Sequence, residues 1–261
     1  MFFSEVLNSM TRSDGAWTAT IPDSWRQGRS IFGGLQVALG LRAMRALVPA
    51  EVPLRVLQTT FVAPPGPDAV SVRANVLRSG KNATHVESRL TDGDQTVCVV
   101  TAVFGSRRES NVHVLPLQHR VNSDKPVEFR FRAGVTPVFT QHFSMRWLVG
   151  DLPFTNHNLT RAVIEVSFKD AAKTGEEHVV AIADAIPPVA LSLLDSPVPG
   201  SSLTWTLEML RDHVTDLPLT GWRLDADLTA GRDGYTNQSV MIWGPGGEPV
   251  ALSRQCMVIF G

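Results

Sequence analysis

Three polar residues near the C-terminus have side chains that could activate a water molecule. Asp227 and Thr229 lie two positions apart in a run typical of a β-strand, so both side chains point to one face of the strand. Gln255 lies in the last apolar run, between Leu252 and Met257, where a buried amide needs hydrogen-bond partners. Hydrolysis by a bound water needs a general base and groups that orient the water. A carboxylate, a hydroxyl and an amide could supply both.

The pattern around Asp227 leaves two interpretations open. Asp225 shares the strand face of Asp227, and Leu224 and Leu228 lie on the opposite face. If the two leucines pack on a helix, Asp227 points either to solvent or to another part of the protein. Asp227 is therefore a candidate general base, and the alternative is that both aspartates belong to a solvated strand face.

Hydrolysis also requires a hydrogen-bond donor that stabilises the negative charge developing on the carbonyl oxygen. Gly33 and Gly34 stand directly before residues 35–47, a run rich in alanine, leucine and methionine that predicts a helix enclosed by protein. The free N–H groups of a first helical turn, at the positive end of the helix dipole, could stabilise an oxyanion. The alternative is that the glycines only allow tight packing there.

Composition excludes several classes of function. With 43% hydrophobic and 19% charged residues, the 261-residue chain has the balance of a globular protein with a sizeable core. A net charge of −1 argues against a nucleic-acid surface. No apolar run approaches a membrane span, and the N-terminus lacks the features of a signal peptide. Cys98 and Cys256 lie outside any metal-binding spacing, so we expect free thiols in a cytoplasmic protein.

The elements that must position these groups occur twice along the chain. The pattern predicts a hairpin within residues 1–27, then a helix and four strands, then an irregular linker, then strands, a second helix and four more strands. The expected helices are 35–47 and 176–186, and the expected strands are 54–63, 70–78, 84–91, 96–104, 143–149, 160–169, 203–210, 221–228, 236–243 and 250–260.

The two halves have similar sequences at their ends, where the strands that finish at Phe104 and Phe260 align. This predicts an internal duplication of a helix wrapped by an antiparallel sheet, an α+β plan in which the two sheets join edge to edge. The expected boundaries are 1–108 for the first copy, 109–140 for the linker and 141–261 for the second. Gln255 aligns with Val99, so the polar group is present in one copy only, as expected if one of two related sites is active.

Several motifs together resemble acyl-CoA thioesterase II-like proteins. They are Gly28-Arg29-Ser30-Ile31-Phe32-Gly33-Gly34-Leu35-Gln36, Phe61-Val62-Ala63-Pro64-Pro65-Gly66, Val76-Leu77-Arg78-Ser79-Gly80-Lys81-Asn82 and, in the second half, Leu252-Ser253-Arg254-Gln255. The resemblance covers residues 10–105 and 140–260. It implies a double hotdog fold, in which two antiparallel sheets each wrap a central helix. It also implies hydrolysis of acyl-CoA or acyl-carrier-protein thioesters without metal or cofactor, and we expect a homo-oligomer.

In that family an aspartate, a serine or threonine, and a glutamine of the second half position the attacking water. Gln255 matches the glutamine, and Thr229 falls where the family has its hydroxyl. The position that matches the aspartate holds Thr204, so the chain departs from the family pattern there, and Asp227 is the candidate replacement. Gly33, Gly34 and Gln58 are the expected substrate-binding residues.

Two other functions stay open from the sequence. A non-catalytic acyl-CoA-binding protein would explain Thr204 at the aspartate position. Enoyl-CoA hydratases with this fold have a different motif: an aspartate is followed five residues later by a histidine, in the loop before the helix. Residues 26–34 contain neither of these two residue types, which counts against a hydratase.

Overall fold

Helix α2 (Gly33–Arg45) is enclosed by the rest of the protein, as its composition predicts. The computed structural model describes residues 1–66, 69–123 and 125–260. Leu35, Leu39 and Leu41 are fully buried, and the charged residues of α2 lie in its last turn, where the negative end of the helix dipole favours cations. No helix within the described residues is long and apolar enough to cross a membrane.

Helix α3 (Glu176–Ala183) packs beside α2, with the end of each helix next to the start of the other. A Cβ atom on Gly34 would lie 3.0 Å from Cα of Ala181, while Arg45 reaches Glu176 at the opposite end. The sequence predicts this second helix as far as Ile186, but it ends at Ala183. Pro187 explains the difference, because proline disfavours helical conformation in the preceding residue.

Among the residues that the structure describes, thirteen antiparallel strands form one continuous sheet around α2 and α3. Including the two strands of a separate pair, the strands of the described residues are β1 (Thr11–Ser13), β2 (Ala16–Thr20), β3 (Arg26–Gln27), β4 (Ser30–Ile31), β5 (Leu54–Phe61), β6 (Ala69–Ser79), β7 (Ala83–Asp92), β8 (Gln95–Gly105), β9 (Val127–Phe129), β10 (Phe143–Val149), β11 (Arg161–Phe168), β12 (Gly200–Met209), β13 (Trp222–Arg232), β14 (Tyr235–Trp243) and β15 (Pro249–Ile259). The order across the sheet is β1-β2-β6-β7-β8-β5-β12-β15-β14-β13-β11-β10-β9, and β3 pairs with β4 separately.

The two halves meet where β5 pairs with β12, with Leu57 opposite Leu207. This pairing confirms the expected edge-to-edge joining and removes two exposed sheet edges. Two features near the expected boundaries were not predicted. A short helix α1 (Phe3–Asn8) precedes the hairpin of β1 and β2, and β9 pairs with β10 from within the segment 109–140 assigned to the linker. Of the predicted ranges, Pro67, Asp68, Asp124 and Gly261 lie outside the described residues.

Candidate active site

Asp184 lies directly after the last residue of α3, facing the first turn of α2. The Gln255 amide nitrogen Nε2 donates to Asp184 Oδ1 over 2.8 Å, and the backbone N–H of Gly34 donates to the same carboxylate. A Cβ atom on Gly33 would lie 2.7 Å from Asp184 Oδ2. The carboxylate therefore occupies the space that the missing side chain of Gly33 leaves at the helix N-terminus.

Ser202 completes the cluster from the neighbouring strand β12. The same Gln255 Nε2 lies 3.1 Å from Ser202 Oγ, so one amide joins a carboxylate and a hydroxyl. An irregularity in the pairing of β12 with β15 falls between Ser202 and Thr204. Because a bulge adds one residue to a strand and changes which side chains face inward, both Ser202 and Trp205 point to the inner face with Gln255.

Burial raises the pKa of the Asp184 carboxyl to about 7, although the hydrogen bonds from Gln255 and Gly34 act in the opposite direction. Desolvation disfavours the charged form of a carboxyl, and donors to the carboxylate favour it. As whole residues, Asp184, Ser202 and Gly33 are each partly accessible to solvent. A carboxyl that titrates near neutral pH is suited to accept a proton.

The other pair of helix ends has a different arrangement. There Arg45 Nη2 and Glu176 Oε1 form an ion pair at 2.5 Å, and the Leu54 backbone N–H donates to the same glutamate oxygen. The glutamate oxygens thus accept hydrogen bonds from a strand and from a charged partner. The two helix-end clusters therefore differ. Val99, which the sequence aligns with Gln255, pairs with the exposed Thr60 on the outer face of the sheet, so it does not occupy the equivalent position.

The structure does not bring Asp227 and Thr229 to Gln255. Thr229 Oγ1 lies 3.3 Å from Ser239 Oγ, and Asp227 is opposite Ser239 in the strand register. Ser239 in turn is opposite Arg254, the residue before Gln255. Since successive side chains alternate across a sheet, Asp227 and Thr229 lie on the outer face, and both are exposed.

Thr204 and Gln58 also lie on the outer face of the sheet. Thr204 is exposed and pairs with Thr60 and Cys256, while Gln58 is exposed and pairs with Thr206. Gly33 and Gly34 are the predicted binding residues that the structure places beside Gln255 and its carboxylate partner.

Sequence reasoning missed Asp184 and Ser202, although a signal was present for the first of them. Asp184 is the one charged residue in the apolar run 179–186, and it precedes the helix-breaking pair Pro187-Pro188. An acid at that point is unfavourable for a buried helix and needs a partner. The irregularity beside Ser202 has no glycine to mark it, so the inward direction of this serine is not evident from the alternation of residue types.

Known proteins support the same architecture. The family model of the acyl-CoA thioesterase N-terminal domain matches residues 21–105, and the family model of the C-terminal domain matches residues 120–259. Among curated proteins, no sequence matches the chain. Within the described residues, no group of three histidine, cysteine, aspartate or glutamate side chains is placed to hold a metal ion.

Solved structures with low sequence identity share the whole fold. A protein of unknown function with a hot dog fold from Alicyclobacillus acidocaldarius is 20% identical, with a TM-score of 0.87 over 99% of this chain and 98% of that one. The acyl-CoA thioesterase II TesB2 of Mycobacterium marinum is 13% identical, with a TM-score of 0.74 over 99% and 98%. The tesB protein of Mycobacterium avium subspecies paratuberculosis is 13% identical, with a TM-score of 0.77 over the same shares.

The family models cover most of both halves of the sheet, from β5 onward in the first half, and both central helices. The similar structures have the same arrangement along nearly the whole chain. The chain therefore belongs to the acyl-CoA thioesterase family and has its double hotdog fold.

Proposed function

We propose that this protein hydrolyses acyl-CoA, or the related acyl-carrier-protein thioesters, with a water molecule held by Asp184, Gln255 and Ser202. One observation carries the proposal. A single amide joins a carboxylate of raised pKa to a hydroxyl, directly beside the N-terminus of a buried helix that begins with two glycines. This supplies a base, two orienting groups and backbone donors within one partly accessible cluster.

The first chemical step is attack by the bound water on the thioester carbonyl carbon. The Asp184 carboxylate accepts one proton of the water while the water oxygen forms a bond to that carbon. Gln255 and Ser202 hold the carboxylate and the water in line with the carbonyl. Gln255 Nε2 donates to both partners, so one amide fixes the positions of the carboxylate and the hydroxyl relative to each other.

The first turn of α2 stabilises the tetrahedral intermediate. As the carbonyl oxygen gains negative charge, the backbone N–H at Gly33, which has no acceptor within the helix, donates to it at the positive end of the helix dipole. When the intermediate collapses, the carbon–sulfur bond breaks and the electron pair leaves with sulfur. The proton on Asp184 then passes to the thiolate, which gives CoA thiol and a free carboxylic acid and restores the carboxylate.

The pH dependence of kcat/KM tests the role of the carboxyl. Since only ionised Asp184 can accept a proton, kcat/KM should rise with pH and reach a plateau, with an apparent pKa of about 7. Initial rates between pH 5 and 9, measured by the release of CoA with a thiol reagent, give this profile. A flat profile over that range, or an apparent pKa near 4, would contradict the assignment of Asp184 as the base.

Replacement of Gly33 by alanine tests the close contact at the start of α2. The added Cβ would lie 2.7 Å from Asp184 Oδ2 and 3.2 Å from the Phe61 ring, so the carboxylate must move. We expect kcat to fall by about 10- to 100-fold, since a displacement of about 1 Å has an effect of that size. Gly231→Ala is the matched control, because the nearest atom to its Cβ is 3.5 Å away. Equal rates for Gly33→Ala and the control would oppose the proposed geometry.

The activity itself is tested with a panel of acyl-CoAs of increasing chain length and one acyl-carrier-protein. We expect release of a free thiol from acyl-CoA in the absence of any added metal or cofactor. Binding of acyl-CoA without any thiol release across the panel would favour a non-catalytic acyl-CoA-binding protein instead.

A further inference from the structure

Gln238 is a fully buried glutamine in β14, directly opposite Gln255 of β15. The two glutamines belong to a row of side chains that crosses the inner face of the sheet. The flanking members of this row, Trp205 beside Gln255 and Leu228 beside Gln238, are apolar or mostly so. Gln238 and Gln255 are thus a pair of buried amides with apolar neighbours that pack against the core.

The side-chain oxygen of Gln238 holds the chain segment that follows Asp184. The Val189 backbone N–H donates to Gln238 Oε1 over 2.8 Å. Since a backbone N–H can only donate, the atom that it contacts must be the amide oxygen, which fixes the orientation of the amide. Pro187 and Pro188 carry no N–H, so Val189 has the first backbone donor after Ile186.

The far part of the same segment is held by other contacts. Backbone N–H groups of Phe154 and His157 donate to the carbonyl oxygens of Leu191 and Ser192, at 2.8 Å and 2.7 Å. Gln238 therefore holds the part of the segment that is nearest to Asp184, and its loss would leave the remainder attached.

We infer that Gln238 is a positioning residue for the proposed reaction: it ties the segment after Asp184 to the strand beside Gln255 and so fixes the carboxylate relative to the amide that orients it. This inference rests on the proposed function of Asp184. Gln238 and Gln255 would act from adjacent strands on the same acid, Gln255 by direct donation and Gln238 through the backbone five residues further along the chain.

The second amide atom of Gln238 argues against a role in packing alone. Gln238 Nε2 is buried and has no hydrogen-bond partner among the described residues. An unsatisfied buried donor is unfavourable, so the amide nitrogen gives no reason for a glutamine at this position. The oxygen, which accepts from the Val189 N–H, is the part of the side chain that has a partner.

The test compares Gln238→Leu with the wild type in kcat, KM and amide hydrogen exchange. We expect kcat to fall by about 10- to 100-fold, which is typical of residues that orient a catalytic group without contacting the substrate. KM should change by less than about 3-fold. We also expect the Val189 amide, followed in peptides that span 186–194, to exchange at least about 10-fold faster. An unchanged kcat would overturn the inference whatever the exchange rate.

Two variants keep this test decisive. Thr236→Val lies two residues away on the same face of β14 and removes a buried hydroxyl that has no partner among the described residues. This variant should change neither kcat nor the exchange rate of the Val189 amide. Gln238→Glu retains an acceptor for the Val189 N–H and should restore kcat to within about 5-fold of wild type. If Gln238→Leu does not fold, Gln238→Glu with retained activity and slow Val189 exchange supports the inference, and loss of activity with slow exchange overturns it.

A failure of the proposed function gives a different pattern. If Asp184→Asn retains wild-type activity in the same assay, the assignment of the base is wrong. In that case Val189 exchange still shows whether Gln238 holds the segment. If Asp184→Asn is inactive while Gln238→Leu is fully active, only the inference about Gln238 fails.

Discussion

Replacement of Asp184 by asparagine should reduce kcat by about 10³-fold, within the range of 10² to 10⁴ that general-base catalysis contributes. Asparagine has nearly the same shape and can still accept from Gln255 Nε2 and from the Gly34 N–H through its oxygen. It cannot accept a proton from water at neutral pH. Steady-state release of CoA, with substrate at several times KM, measures the loss.

The matched control for this variant is Asp227→Asn. Asp227 is exposed on the outer face of the sheet, away from Gln255, so its replacement should leave kcat within about 2-fold of wild type. The opposite result, full activity of Asp184→Asn and loss of activity in Asp227→Asn, would place the base on the outer face of β13.

Asp184→Asn should be more stable than the wild type, although it loses activity. The folded-state pKa of Asp184, about 7, lies above the ordinary value of 3.8, so the folded protein holds a proton that the unfolded chain releases between those two values. The wild type therefore loses stability as pH rises from about 4 to 7. Asp184→Asn should avoid that loss, a difference of at most about 4 kcal/mol in the free energy of unfolding at pH 8.

Replacement of Gln255 by leucine should lower kcat by about 10²-fold, because both the carboxylate and the Ser202 hydroxyl lose their shared donor. The donor also lowers the pKa of Asp184, so its removal should move the apparent pKa of the kcat/KM profile above 7. A pH series on Gln255→Leu and on the wild type measures both effects.

Two further variants refine the test of Gln255. Gln58→Leu changes an exposed glutamine of β5 and should alter neither kcat nor the pH profile. Ser202→Ala combined with Gln255→Leu should have little more effect than Gln255→Leu alone, because both side chains act on the same water. Additive losses in the double variant would mean that the serine and the glutamine work independently.

Much of the fold could be predicted because each strand has a clear pattern of residue types. The β10 strand (Phe143–Val149) matches its predicted bounds, and most other strands differ by one or two residues at their ends. The duplicated order of elements also indicates how the sheets join. The short helix α1 was missed because its six residues span too few turns to show a helical periodicity.

The site was harder to predict because it depends on two local departures from regular structure. Helix α3 stops before its proline pair, which places Asp184 at a helix end, not within the helix. The irregularity in β12 turns Ser202 inward and leaves Thr204 outward. Alternation of residue types treats both segments as regular, and the resemblance to the family placed the aspartate and hydroxyl positions at Thr204 and Thr229. The buried amide of Gln255 could be recognised directly from its apolar surroundings.

The most direct test of the central proposal is a crystal structure of Asp184→Asn with bound acyl-CoA, which this variant should hydrolyse slowly enough to retain. We expect the thioester carbonyl oxygen to lie within hydrogen-bond distance of the backbone N–H at the start of α2. We also expect a water between the carbonyl carbon and the side chains at positions 184, 202 and 255. A thioester bound beside Thr229 on the outer face, or at the Arg45–Glu176 ion pair, would contradict the proposal.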